Sequence, residues 1–234
     1  MLYLASANRQ PPSFVVKRRT AFAEGAIGLL DPVTLERRHV RLEPISLDHI
    51  PGLVEAASQS RETYGFTYVP ADADAMRLYV ETALVGRDAG TMMPFATIDR
   101  RTEKVVGSTR FHHVESWDWP AGDPRQRGRH LPDVVYIGTT WLAADAQRTG
   151  INPEAKLLML THAFETWLVH RVRITADSRN EQSCRAILRL GMHLDGVVRA
   201  DRVALDGAIR DSATYSILDS EWPEAKAQLI ARMR

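Results

Sequence analysis

The stretch VVYIGTTWLAADAQRTGIN, residues 134–152, decides how the rest of the chain is read. Its first nine residues, Val134 to Leu142, are mostly apolar, β-branched or aromatic, the make-up of a buried strand. A turn of small residues, Ala143-Ala144-Asp145-Ala146, follows, and Gln147 to Asn152 opens a helix. Start signals for that helix are Asn152 as cap, Pro153 as first helical residue and Glu154 in the first turn. Gly150 lets backbone approach a bulky anion, and the unpaired N–H groups of the helix start carry partial positive charge; Arg148 adds a cation. The stretch therefore reads as a phosphate-binding turn, although a lone glycine before a helix also serves as an ordinary turn. It has neither the Gly-Lys-Ser/Thr of a Walker loop nor the three-glycine spacing of a dinucleotide fingerprint.

Downstream, Val172 to Ala176 reads as a strand, and Ser178 or Asn180 leads a short helix to Leu190, ended by Gly191. Leu194–Val203 and Ile209–Leu218 form a hairpin about Asp206-Gly207, and Ser220, Pro223 and Glu224 open a terminal helix. Upstream, Met92–Ile98 and Val105–Val114 form a hairpin about the charged run Asp99 to Lys104. Before it stand two amphipathic helices, one capped by Ser46 and running to Ser58, the other starting at Asp72 or Asp74 and closed by Gly86 or Gly90. Arg41-Leu42-Glu43 is a first short strand. The order is mixed α/β in one domain over residues 34–234. Residues 1–33, punctuated by Pro11-Pro12, Gly25 and Gly28 and without sustained periodicity, read as a flexible extension.

Composition bounds the function. The chain has 234 residues, 44% hydrophobic and 25% charged, with 30 Lys+Arg against 29 Asp+Glu. That is ordinary globular composition, and near-zero net charge argues against a dedicated nucleic-acid binder. The basic excess sits at the start, where Arg9, Lys17, Arg18 and Arg19 face only Glu24; it is a solvated tail or an arm for RNA or a ribosome. Membrane spans need about 20 apolar residues, and no run approaches that. The single cysteine, Cys184, allows no intrachain disulfide or Cys-based zinc cluster, which fits a reducing compartment and makes cytoplasm the expected location.

Gln147-x-x-Gly150-x-Asn152 resembles the cofactor motif of the GNAT superfamily of acyl-CoA-dependent N-acetyltransferases, with Asn152 in place of the last small residue. Trp141-Leu142 before it, Asn180-x-x-Ser183 with Arg189-x-Gly191 after it, and the late Asp211-x-x-x-Tyr215 resemble the Rim-type, ribosomal-protein N-terminal acetyltransferase branch. Met192 stands where that branch has Phe. The resemblance spans about Val33 to Trp222. It implies a mixed, mostly antiparallel sheet, flanked by helices and split into a V between strands 134–142 and 172–176. Acetyl-CoA would lie in the V, its pyrophosphate on the amides of Arg148, Thr149, Gly150, Ile151 and Asn152, with Gln147 in the motif. Its pantetheine would meet strand-edge groups of Thr140, Trp141 and Leu142 and be oriented by Asn180. The acceptor is then a primary amine, of a protein N-terminus or a small molecule, acetylated by direct transfer without a metal. Many members place a proton-donating Tyr where this chain has Ile187, so the resemblance passes that role to Ser183. Ser183 also reads as a helix-start hydroxyl satisfying a backbone N–H, and a non-catalytic acyl-CoA-binding module is the other reading of a site without the Tyr.

The remaining candidates have plainer alternatives. Cys184 lacks a local His partner and reads as a small buried residue. His112, His113 and His130 do not make a metal site, because adjacent strand residues point to opposite faces; one of the pair facing the cleft would serve as a proton relay. Tyr136 and Tyr215 read as core or cleft lining. Glu115, Asp118 and Asp133 flank the long loop 115–132 and would attract a cationic amine or be solvated. Trp117 and Trp119 read as a lid or a subunit contact, which leaves a homodimer open. Arg125, Arg127 and Arg129 would meet the CoA 3′-phosphate, nucleic acid or solvent. Loops 59–72 and 116–132 are expected to build the acceptor side.

Overall fold

The runs read as strands pair into one sheet in a computed structural model of the chain, which describes residues 31–126 and 131–233. In chain order the elements are β1 (Leu35–Glu36), β2 (Val40–Pro44), α1 (Ile50–Ser58), α2 (Ala73–Asp88), β3 (Met92–Asp99), β4 (Lys104–Glu115), β5 (Val134–Leu142), α3 (Ile151–Thr161), β6 (Arg171–Asp177), α4 (Glu181–Leu188), β7 (His193–Val203), β8 (Ile209–Leu218) and α5 (Trp222–Arg232). The strand order is β1-β2-β3-β4-β5-β6-β8-β7, and every neighbouring pair is antiparallel except β5 with β6. This is the mixed, mostly antiparallel sheet expected. Strand β1 escaped the sequence reading because two residues are too few to show alternation. Nearly all of the expected extension, residues 1–30, lies outside the described residues, as do Arg127, Arg129 and His130. No helix among the described residues is long and apolar enough to cross a membrane.

The sheet is covered on both faces, and alternation along β4 separates them. Thr109 and Phe111 face α3 and the segment that follows it: Thr109 Oγ1 lies 3.7 Å from Met159 Sδ, and the Phe111 ring is 4.7 Å from that of Trp167. Ser108 and Arg110 face α2, where the Tyr79 hydroxyl donates to Ser108 Oγ at 3.2 Å and the Arg110 guanidinium lies 4.9 Å from the Tyr79 ring centre. Helix α2 begins as expected, with Asp72 accepting from the Ala75 N–H at 2.8 Å, and Gly90 follows its end at φ 66°. Gly86 lies inside the helix, where its missing side chain makes room for Met92.

Helix α3 departs from its expected start. It begins at Ile151 with Gly150 as cap residue, so Asn152 is already inside the first turn and caps nothing. Glu154 explains the shift. Its carboxylate is buried and accepts from the backbone N–H groups of His39 at 2.5 Å and Val40 at 3.1 Å, with Arg37 at 3.6 Å. Three tertiary partners outweigh one local cap, and they tie the β1–β2 turn to the first turn of α3.

Candidate functional site

Strands β5 and β6 pair in parallel at only three positions, Val134 with Arg171, Val135 with Val172 and Tyr136 with Arg173. Beyond that point β5 stays with β4 and β6 stays with β8, so residues 137–142 and 174–177 diverge as the arms of a V. Among the described residues, no neighbouring strand bonds the backbone groups on the inner edges of the arms. Strand β5 also carries a bulge: Arg110 pairs with Gly138 and Ser108 with Trp141, so Thr139 and Thr140 together oppose Thr109. Thr139 adopts φ 49°, a left-handed conformation uncommon outside glycine. No residue in Gly138-Thr139-Thr140 announces this conformation, and the sequence reading missed it.

The open end of the V is framed by two helix starts. On the β5 arm, the turn 143–150 leads into α3. Here the left-handed residue is Arg148, at φ 60°, whereas Gly150 has φ −72° and needs no glycine freedom. Such turns gather successive N–H groups into an anion-sized concavity. Among the described residues, the N–H groups of Arg148, Thr149, Gly150 and Asn152 donate to no acceptor, while that of Ile151 reaches Thr149 Oγ1 at 3.2 Å. A cavity of about 220 Å³ adjoins this turn, lined by His39, Gln59, Lys104, Thr149 and Gly150 among others. The side chains of the motif turn inward. Gln147 Nε2 donates to the Leu142 carbonyl at 3.0 Å and Thr63 Oγ1 at 3.1 Å, Trp141 packs edge-on against Tyr64, and Thr140 is tied to Thr109 at 2.8 Å. What Thr140 to Leu142 offer the V is therefore backbone.

On the β6 arm, α4 opens with Asn180 as its cap, the carboxamide oxygen accepting from the Ser183 N–H at 3.0 Å. The capping bond thus uses Asn180 and the backbone of Ser183, and the Ser183 hydroxyl takes no part in it. Cys184 is half-buried, its thiol 3.8 Å from the Asp177 carbonyl, and burial together with the Cys184 contact pushes the Tyr215 phenol well above its usual range. Ile187 belongs to the core. Loop 65–72 reaches this end too: Phe66 sits 5.6 Å from the Arg179 guanidinium, which bridges Asp177 and Asp206 at 2.8 Å each.

A polar row crosses the sheet where the V divides. Arg173, Tyr136 and His112 are register partners on β6, β5 and β4, and Arg173 donates to the Tyr136 hydroxyl while lying over its ring. The expectation that His112 and His113 point to opposite faces is wrong. A second bulge, at His113 with φ 47°, brings both rings to one side, 4.6 Å apart, each against Tyr136. Burial, His113 and the cations Arg110 and Arg202 push the His112 imidazole down to about 3, so it is neutral at physiological pH. Gly138 makes this possible, since a side chain there would strike His112 Nε2. Among the described residues no group of three or more His, Cys, Asp or Glu could hold a metal ion.

The long loop serves the other end of the V. Asp133 is buried and accepts from the Trp117 N–H at 2.6 Å and Trp119 Nε1 at 2.8 Å, and Trp117 stacks on His170 with centroids 5.5 Å apart. Because Asp133 and His170 immediately precede β5 and β6, these indoles pack at the paired end, away from the open end. Asp133 is therefore no attractor for an amine, and Arg125, bonded to Asp123 at 2.8 Å and set over Trp119, is committed as well.

Comparison with known proteins agrees with this geometry. Residues 39–193 match the family model described as acetyltransferase (GNAT) domain. Over 86 residues the chain is 34% identical to the Bacillus subtilis strain 168 protein named "Putative ribosomal N-acetyltransferase YdaF", a match covering 37% of this chain and 46% of that one. The chain thus spans about half the length of that curated relative. A GCN5-related N-acetyltransferase from Brucella melitensis superposes with a TM-score of 0.73 at 27% identity, covering 87% of this chain and 86% of that one. Mycobacterium smegmatis RimJ, solved with CoA-disulfide, shares the fold with a TM-score of 0.69 at 20% identity, covering 87% and 96% of the two chains.

Proposed function

Because the chain belongs to the GNAT acetyltransferase family, and is thereby an acyl-CoA-dependent transferase, we propose that it moves an acetyl group from acetyl-CoA directly to a primary amine, first of all a protein N-terminus. The observation that carries the reading is the V whose open end is framed by the starts of α3 and α4. Acetyl-CoA, when bound, supplies the activated acyl thioester. The unpaired N–H groups of Arg148, Thr149, Gly150 and Asn152 suit its pyrophosphate, and the inner edge of β5 from Thr140 to Leu142, with Asn180 opposite, suits its pantetheine. Backbone N–H groups at the bulge would steady the oxygen on which charge develops. The row Arg173–Tyr136–His112, with His113 beside it, floors the acceptor side and gives the amine proton a path outward. Ser183, whose hydroxyl the cap leaves alone, would protonate the departing thiolate. The word ribosomal in a relative's name favours the N-terminal amine of a protein over a small molecule.

Release of free CoA thiol, followed with a thiol reagent against a panel of N-terminal peptides and small amines, tests the proposal. CoA binding without thiol release from any acceptor would leave a non-catalytic acyl-CoA-binding module. Ser183→Ala is expected to lower kcat about 10²–10⁴-fold, the usual contribution of general acid catalysis, with acetyl-CoA affinity little changed. Unchanged turnover with a lower melting temperature would reduce Ser183 to a structural residue.

A further inference from the structure

Lys156 is the least expected residue of α3. The residue is 4% exposed, and its Nζ lies in the layer between α3 and the sheet, with no carboxylate paired to it among the described residues. Nζ is 2.9 Å from Thr109 Oγ1 and 2.7 Å from Thr140 Oγ1, and the two hydroxyls are 2.8 Å from each other. The three atoms form a closed triangle beneath the bulge that the V presents at Thr139 and Thr140. Resting on the acyl-transfer reading above, we propose that Lys156, acting through Thr140, is a positioning residue that fixes the bulge against the acyl thioester.

The donors and acceptors of the triangle favour the neutral amine. Neutral Nζ can donate to one hydroxyl and accept from the other, while the hydroxyls bond each other, so each member both gives and receives. An ammonium can only donate. It forces both hydroxyls to accept from it, leaves a buried charge uncompensated and frees the Thr140 hydroxyl to turn toward the Gly138 carbonyl, 3.5 Å away. Burial alone pushes Lys156 down to about 7, with no neighbouring charge contributing. The surrounding elements agree. On α3, Glu154 is occupied by His39, Val40 and Arg37, and just past its end burial lowers His162. Strand β4 presents Thr109 and Phe111, β5 presents Thr140, and β2 contributes Val40 and Leu42 to the core. Acid should therefore loosen the bulge. Stability follows the same proton: the unfolded chain holds it up to the usual lysine range and the folded chain releases it near 7, so stability rises with pH between those limits.

The test compares wild type with Lys156→Met by amide resonances of Thr139 to Trp141, kcat and KM for acetyl-CoA, CoA affinity by calorimetry, and melting from pH 5.5 to 9. In wild type the amides should titrate with a midpoint near 7, kcat should fall at least tenfold below it, and Tm should rise above it. In Lys156→Met the amides should be flat, kcat at pH 8 at least tenfold lower, CoA affinity within threefold and Tm no lower. Flat amides in wild type, or Lys156→Met turnover within twofold of wild type, would overturn the proposal. Should Lys156→Met not fold, Thr140→Val, which removes one corner and keeps the lysine, should show the same loss of kcat, and full turnover there would overturn it equally. If wild type acetylates no acceptor, the acyl-transfer reading fails, and titrating amides would still tie Lys156 to the bulge.

Discussion

Gly150→Val is expected to lose about 10²–10⁴-fold in CoA affinity while melting within a few degrees of wild type. The loss corresponds to two hydrogen bonds to a charged group at about 1.5–3 kcal/mol each. On the reading proposed above, the unpaired N–H groups around Gly150 would take the pyrophosphate, and two γ-methyl groups would fill that space. The fold has no comparable objection. Gly150 has φ −72°, open to any residue, and an added Cβ would come no nearer than 3.4 Å, to the His39 ring. The first turn of α3 also keeps its attachment through Glu154. Calorimetric titration with CoA beside thermal melts checks both halves. Wild-type affinity in a folded Gly150→Val protein would remove the pyrophosphate role from this turn.

Gly107→Ala is expected to do the reverse and damage the fold before the chemistry. Gly107 pairs with Leu142 on β5 and with Thr97 on β3, so its backbone is held on both sides. A methyl group there would collide with the Trp141 carbonyl oxygen and come within 3.0 Å of Leu142 Cα. Those atoms are backbone, and no rotamer change removes the conflict. Relief requires β4 and β5 to part where β5 leads into the α3 turn. We expect a cost of about 3 kcal/mol or more, a fall in Tm of about 6–12 °C, with weaker CoA binding as a consequence. Wild-type melting of Gly107→Ala would show that the strands yield there at little cost.

The sequence was legible where local chemistry and tertiary structure agree. Val134–Leu142 and Ile209–Leu218 are strands over the residues read, because β-branched runs bounded by turn residues leave little alternative. Asp72 caps α2 as its side chain proposes. Legibility failed where a distant partner decides. Asn152 looked like a cap, but the contacts of Glu154 with His39 and Val40, more than a hundred residues away, draw the helix start back to Ile151. His112 and His113 looked opposed because alternation assumes an unbroken pleat, and the bulge at His113 breaks it. The bulge at Thr139 and the triangle of Lys156 lie in residues of ordinary type whose meaning comes only from their neighbours across the sheet. At the site, the motif order pointed to the junction of β5 with α3, while the division of labour there between backbone and side chain had to come from three dimensions.

The division of the sheet has a mechanical side. Two plates, β1–β5 and β6–β8, share a seam only three residue pairs long, and the seam is riveted at one end by Asp133, Trp117 and His170. A short riveted seam is a hinge, and the softest deformation open to such an object is a scissoring of the arms about it. An occupant bonded to both arms would act as a strut, so tight binding and a stiff molecule should arrive together. Slowed amide exchange on both inner edges would then record occupancy even where no bond of the occupant reaches.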